Sequence, residues 1–244
     1  MRASFSKPGN EPATATVAVL GFHRVGPLPP WSWETWFWLP EETFVRFLDE
    51  LAEGGWEPVS LDAFLDALDG GGELPERTAL ITFDDGYRAT AECILRCLGA
   101  RSWPGVFFVP SDFIGRANGF EAETDEPDEE LCSEEELAAL AHGGISVQSH
   151  GASHRGFSSL EPAEQVAELR RSKEALERVP GVRVEALAYP YGDVGDPGSA
   201  RAAGYRAAFG YGGTPFAMGA ADRFRLPRLA LGPDSDLTAL LEDR

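Results

Sequence analysis

The chain is poor in histidine, cysteine and positive charge. Three cysteines among 244 residues cannot all pair with one another, and a chain this long has no need of cross-links to hold a core. That argues against a disulfide-stapled scaffold and for a reducing compartment or buried thiols. Cys93 and Cys97, four apart in "AECILRCLGA", share a helix face, but with no second pair nearby they read as small apolar side chains rather than metal ligands. Only 21 lysines and arginines stand against 40 acidic residues, a net charge of −19, so a nucleic-acid backbone or anionic bilayer would be repelled and nucleic acid is not an expected partner. No apolar run reaches membrane-spanning length, and the start "MRASFSKPGNEPATA" lacks the basic, apolar and cleavage segments of a secretory signal. The expectation is a cytoplasmic protein without a membrane span. With only four histidines in all, the pair in "QSHGASH", His150 and His154, is conspicuous.

What is present is apolar material in alternating periods. At 43% hydrophobic and 11% aromatic, the chain can bury one large core. Residues 1–14, rich in small and turn-forming types, read as a flexible leader before a single domain over 15–244. "TVAVLGF" reads as a buried strand, and "LPEETFVRFLDELAEGGW" as a helix carrying Phe44, Phe47, Leu48 and Leu51 on one face and stopping at Gly54-Gly55. The alternation continues with strands at "TALITF", "GVFFVP", "ISVQS", "EALAYP", "YRAAFG" and "FRLPRLAL". Helices are expected at "RATAECILRCLG", "SEEELAALAHGG", "EPAEQVAELRRSKEALERV", "SARAAG" and "DSDLTALLEDR". Short apolar strands alternating with amphipathic helices predict a parallel sheet covered by helices. About seven such units predict an α/β fold in the form of a distorted (β/α) barrel with about seven parallel strands. The acidic "FEAETDEPDEELCSEEEL" reads as an exposed insertion.

Four stretches at strand C-terminal ends, where parallel α/β folds place their sites, hold the candidate chemistry. In "ITFDDGYR" the strand runs into Asp84, Asp85 and Gly86; adjacent strand residues face opposite ways, so the two carboxylates can serve different roles, although an Asp-Gly turn also closes a strand without any chemistry. "SHGASH" sets two imidazoles at i and i+4, and with one carboxylate such a pair suits zinc, cobalt, nickel or iron. His23 ends the first strand in "LGFHRVG", whereas His142 sits at a helix end as a simple C-terminal cation. In "LAYPYGD", Pro190, Tyr191 and Gly192 form a rigid turn able to aim a backbone N–H at a substrate oxygen.

"TFDDG", "SHGASH" and "AYPYG", in this order and spacing, resemble the motifs of the polysaccharide deacetylase family, the NodB-homology carbohydrate esterases, over roughly His23 to Leu231. The resemblance implies a distorted barrel of fewer than eight regular units. It implies Asp84 as general base, and Asp85, His150 and His154 as ligands of one divalent ion, zinc first and cobalt or nickel as alternatives. The backbone N–H of Tyr191 would stabilise the oxyanion. Three departures from the family pattern stand out: Ala188 where the third motif has an arginine that orients the base, Gly151 where a Ser or Thr usually follows the first ligand, and no histidine after His154. The early "FHRV" with "AYPYG" is similar to a permuted branch that includes poly-N-acetylglucosamine deacetylases, which would make His23 the acid that protonates the leaving amine.

Further residues are candidates for binding the carbohydrate substrate. Trp31, Trp33, Trp36 and Trp38 crowd the stretch after the first strand and read either as a sugar platform, chiefly Trp36 and Trp38, or as a flap packed on the barrel. Pro190 and Tyr191 would border the substrate, and Leu229 and Leu231 could line a pocket for an acetyl methyl or sit in the core. Arg228 is a candidate to orient Asp84 in place of the missing arginine. The expected function is metal-dependent removal of N-acetyl groups from an aminosugar polysaccharide or oligosaccharide. The alternatives are an O-acetyl glycan esterase and a silent carbohydrate-binding protein. A non-haem iron oxygenase also uses two His and a carboxylate, but its H-x-D pair is absent.

Overall fold

The computed structural model describes residues 14–27, 38–121 and 128–243. Strands are β1 Thr16–Phe22, β2 Arg24–Val25, β3 Trp38–Leu39, β4 Glu57–Pro58, β5 Arg77–Phe83, β6 Gly105–Val109, β7 Ile145–Ser149, β8 Ala186–Ala188, β9 Ala207–Phe209, β10 Phe216–Ala217 and β11 Leu229–Ala230. Helices are α1 Glu41–Glu53, α2 Leu61–Leu68, α3 Arg88–Gly99, α4 Glu134–His142, α5 Pro162–Leu176, α6 Pro197–Ala202 and α7 Leu237–Glu242. The expected leader falls almost entirely outside the described residues, as do Trp31, Trp33 and Trp36 and part of the acidic insertion. No helix among the described residues is long and apolar enough to cross a membrane.

The main sheet runs β10-β1-β5-β6-β7-β8-β9, with β11 also on β1 and β4 on β5. Its pairs from β1 through β9 are parallel, and only β10 joins β1 antiparallel. Helices connect most successive parallel strands, and the sheet curls into the distorted barrel expected from the alternation. The gap between β9 and β1 is bridged by one segment: Phe209 pairs Leu226, Gly212 pairs Arg228, and Leu229–Ala230 pairs β1. "FRLPRLAL" therefore closes the barrel as a short bridge rather than as the long strand its pattern suggests, because Pro227 interrupts the ladder.

The predicted core positions of α1 are all buried: Phe44, Phe47, Leu48 and Leu51 pack under Phe22 and Phe83. The rings of Phe22, Phe44 and Phe83 lie 5.3–5.6 Å apart, edge-on or stacked. A smaller cluster, with Leu80, Phe108, Ala188 and Phe209, fills the inner face of the curl. Leu229 and Leu231 are 2% and 1% exposed and belong to the larger core cluster. Both side chains pack in that cluster, as in the core placement the sequence also allowed. Trp38 is likewise enclosed, 5% exposed in β3, with the Arg24 guanidinium over its ring at 5.5 Å.

Candidate active site

All four candidate stretches converge at one mouth of the barrel. β5 delivers Asp84 and Asp85, both buried. Strand alternation alone does not separate them, for Asp85 has left the strand with φ +70 and Gly86 follows at φ +78. Aspartate tolerates this left-handed conformation better than most residues. His154 (φ 57) and Tyr191 (φ 58) share it, so three of the four non-glycine residues with positive φ among the described ones stand at this mouth. Such conformations cost roughly 1–3 kcal/mol each and persist where the surroundings fix them.

Asp84 is held by Arg228. The guanidinium donates Nη1 to Oδ1 and Nη2 to Oδ2, both at 2.7 Å, Nη1 also to Thr82 Oγ1 at 3.2 Å, and Nε to the Gly210 carbonyl at 2.7 Å. The position of the motif arginine is vacant on β8, where Ala188 is a small buried residue, and the closing segment supplies the charge from the other side. Arg228 thus pairs with Asp84 from the closing segment. Burial pushes the Asp84 carboxyl upward, but Arg228 together with His150 and His23 outweighs it and holds the group below the ordinary carboxylate value.

His23 stands across from this pair, Nε2 4.0 Å from Asp84 Oδ2, with 20% of its side chain exposed. Its Nδ1 lies 3.3 Å from the Tyr211 hydroxyl, which in turn donates to the Gly21 carbonyl at 3.3 Å. Burial lowers the imidazole's pKa, while Asp85 and Asp84 push it back up. Tyr211 fits only because two neighbours are glycine: a Cβ on Gly21 would stand 2.8 Å from its ring, and one on Gly192 2.7 Å from its Cβ. Thr90 Oγ1 of α3 donates to the His23 carbonyl and accepts from Val25 N.

Asp85 faces the two histidines of β7's end. Its Oδ1 lies 3.1 Å from His154 Nε2 and 3.3 Å from His150 Nε2, and one ligand atom from each of the three side chains lies within 4.8 Å of the others. The far nitrogens are engaged: His150 Nδ1 with the Ala188 carbonyl at 2.8 Å, His154 Nδ1 with the Tyr191 hydroxyl at 3.2 Å. A carbonyl only accepts, so His150 Nδ1 carries a proton and Nε2 is turned to the carboxylate oxygen, where it can hold a second proton or a cation; burial lowers the imidazole's pKa, but Asp84 and Asp85 outweigh it and raise it. The donor set of one carboxylate and two imidazoles, each ring braced from behind, is a fit for a divalent transition ion. Hydrogen bonds from the two imidazoles outweigh burial and hold the Asp85 carboxyl well below its usual range.

The ligand loop draws on α5. Gly151, at φ +74, has no hydroxyl to contribute, and the missing bond comes from elsewhere: Ser149 Oγ accepts from Gly151 N, and Ser172 Oγ donates to the Gly151 carbonyl at 2.8 Å. Glu168 Oε1 accepts from Ala152 N, Ser153 N and Ser153 Oγ at 2.5–3.1 Å. Pro190 is buried and lies against Gly151. Tyr191 is 70% exposed, and its ring meets His154 at 4.8 Å from one side while Phe120 meets it at 4.2 Å from the other. Tyr211, Glu168, Ser172 and Phe120 escaped the reading of the sequence; the only local hint was the glycine pattern of "FGYGG" around Tyr211.

Comparison with known proteins agrees with this geometry. The polysaccharide deacetylase family model matches residues 71–208, more than half of the chain. The chain belongs to the polysaccharide deacetylase family. Within this family, a 57-residue stretch is 40% identical to the poly-β-1,6-N-acetyl-D-glucosamine N-deacetylase of Escherichia coli strain K12, covering 23% of this chain and 8% of that protein. The chain spans at most about half the length of the curated deacetylase relatives it matches. Among solved deacetylases, IcaB from Ammonifex degensii superposes with a TM-score of 0.77 at 25% identity, covering 94% of this chain and 98% of that one. Streptococcus pyogenes deacetylase PplD, solved with acetate, superposes with a TM-score of 0.79 at 17% identity over 94% and 100% of the two chains, and shows the fold.

Proposed function

We propose that this deacetylase-family protein removes N-acetyl groups from an aminosugar polysaccharide or oligosaccharide, with one divalent ion, zinc first, held by Asp85, His150 and His154. The reading is carried by one observation: a carboxylate kept ionised by Arg228 stands beside a complete ligand triad, with an imidazole 4.0 Å away on its other side. When bound, the ion supplies Lewis-acid polarisation of the acetyl carbonyl and a water of lowered pKa. Asp84 takes the proton of the attacking water. The Tyr191 backbone N–H, presented by a rigid turn, donates to the developing oxyanion. His23 donates Nδ1–H to the Tyr211 hydroxyl and, in its protonated form, which burial makes the minor one, would offer Nε2–H to the leaving amine. Tyr191's exposed ring offers a stacking face to a sugar beside the scissile group.

An O-acetyl ester would leave as an alkoxide that needs less help from an acid, so the braced His23 favours the amide. The test strips bound metal from the purified chain, restores zinc, cobalt or nickel, and measures acetate from N-acetylglucosamine oligomers, β-1,6-linked ones included, beside O-acetylated xylan oligomers. Metal-dependent acetate from the amide substrates, reduced about 10²–10⁴-fold in Asp84→Asn, is expected. Release from the O-acetyl substrates alone would make the protein an esterase. Oligomer binding without release from either would make it a silent carbohydrate-binding member.

A further inference from the structure

Away from the mouth, ligand-type side chains converge a second time, where α1 meets α3. Cys93 and Cys97 are buried one turn apart on α3, with their sulfurs 3.9 Å apart. Glu41, the first residue of α1, places Oε1 3.8 Å from Cys97 Sγ, and one ligand atom from each of the three residues lies within 4.8 Å of the others. Zinc bonds thiolates at about 2.3 Å and carboxylate oxygens at about 2.0–2.2 Å, so tetrahedral geometry puts two sulfurs about 3.8 Å apart and each about 3.5 Å from the oxygen. The two observed separations lie within a few tenths of an ångström of those edges.

The charge also closes. Arg96 donates to Glu41 Oε2 at 2.5 Å and leaves Oε1 turned to the sulfurs. A divalent ion, two thiolates, one carboxylate and this guanidinium sum to zero. The Cys97 thiol donates to Glu41 Oε1 and the two thiols are within hydrogen-bond reach of each other, so the three donor atoms already face one another. We propose that Glu41, Cys93 and Cys97 form a second cation site, for a thiophilic divalent ion such as zinc, with water in the fourth position. Burial pushes both thiols up, so binding at neutral pH displaces their two protons to solvent. The ion braces α1 against α3, the helix whose Thr90 holds the His23 carbonyl. None of this depends on the substrate proposed above.

Cobalt separates the two sites, because the Asp85, His150 and His154 triad contains no sulfur. Titrating the reduced, metal-free full chain with cobalt should fill two equivalents and raise a sulfur-to-cobalt charge-transfer band in the near ultraviolet. Zinc should then abolish the band by competition. His154→Ala should keep it, and the double variant Cys93→Ser/Cys97→Ser should lose it with one equivalent of metal. Glu41→Gln, which leaves both thiols in place, should weaken the cobalt affinity read from the band by about tenfold or more. No sulfur band in the reduced wild-type chain, or a band that survives in the double serine variant, would overturn the proposal.

Discussion

Asp84 and Asp85 are adjacent in the chain and live in opposite surroundings. Asp84 is closed into a bidentate pair with a fully buried arginine, so its half of the mouth is electrically balanced as it stands. Asp85 faces two imidazole nitrogens whose partners across each ring are already taken by the Ala188 carbonyl and the Tyr191 hydroxyl. That half holds one carboxylate and two ring nitrogens turned toward it, a donor set that a divalent cation would fit. Under the proposed function, the comparison teaches a division of labour: β11's side would maintain a proton acceptor, and β7's side a ligand set.

The largest test of this division is Arg228→Met. Removing one partner of a buried ion pair leaves Asp84 uncompensated and should cost about 3–5 kcal/mol, read as a lowered denaturant midpoint. Burial would then act on Asp84 against His150 and His23 alone and raise its pKa relative to wild type, so any activity that survives should show its acid limb at higher pH. Equal stability in the variant would mean that the pair is not what keeps Asp84 charged. Next in size is His23→Gln, which should reduce N-acetyl turnover by about 10²–10³-fold while metal content is unchanged. A loss of bound metal in that variant would break the separation between the two halves.

The half that was legible in the sequence is the half encoded by neighbours. "TFDDG" and "SHGASH" name Asp84, Asp85, His150 and His154 because adjacent residues at strand ends reach one mouth, and α1 was legible because its buried face repeats within a few turns. Apart from Arg228, offered as a candidate for Asp84, the supporting contacts were not, because their partners are far apart in the chain: Tyr211 and His23 are separated by 188 residues, and Tyr191 and His154 by 37. β4 and α2 were passed over, since an eight-residue helix gives too few turns for its period to stand out. Leu229, Leu231 and Trp38 show a different limit. For each the sequence left substrate contact and packing open, and their burial shows only when the barrel is closed.

Tyr191→Phe sharpens the ligand half. The hydroxyl engages His154 Nδ1 at 3.2 Å, and losing such a bond behind a ligand typically weakens metal affinity by about 10–100-fold. Since this contact is longer than that of His150, the low end is expected, measured by competition against a chelator of known affinity. The backbone N–H is untouched, so turnover at saturating metal should change far less than affinity does. An unchanged affinity would leave the tyrosine side chain with the substrate alone.

The smallest effect probes the brace beneath both histidines. Burial pushes Glu168 up, but the Ser153 hydroxyl and backbone N–H, with Arg171 and the Ala152 N–H, outweigh it and hold the carboxyl below its ordinary value of 4.5. A depressed carboxyl adds stability above its unfolded pKa and loses it as pH falls through the folded one. Glu168→Gln should therefore cost about 1–2 kcal/mol at pH ~7, the usual range for hydrogen bonds to a charged acceptor. The difference between the two proteins should shrink as pH drops below about 4.5, where wild type begins to protonate the same group. Urea midpoints at several pH values measure this directly. A constant difference across that range would assign the loop's support to Ser149 and Ser172, whose hydroxyls do not titrate there.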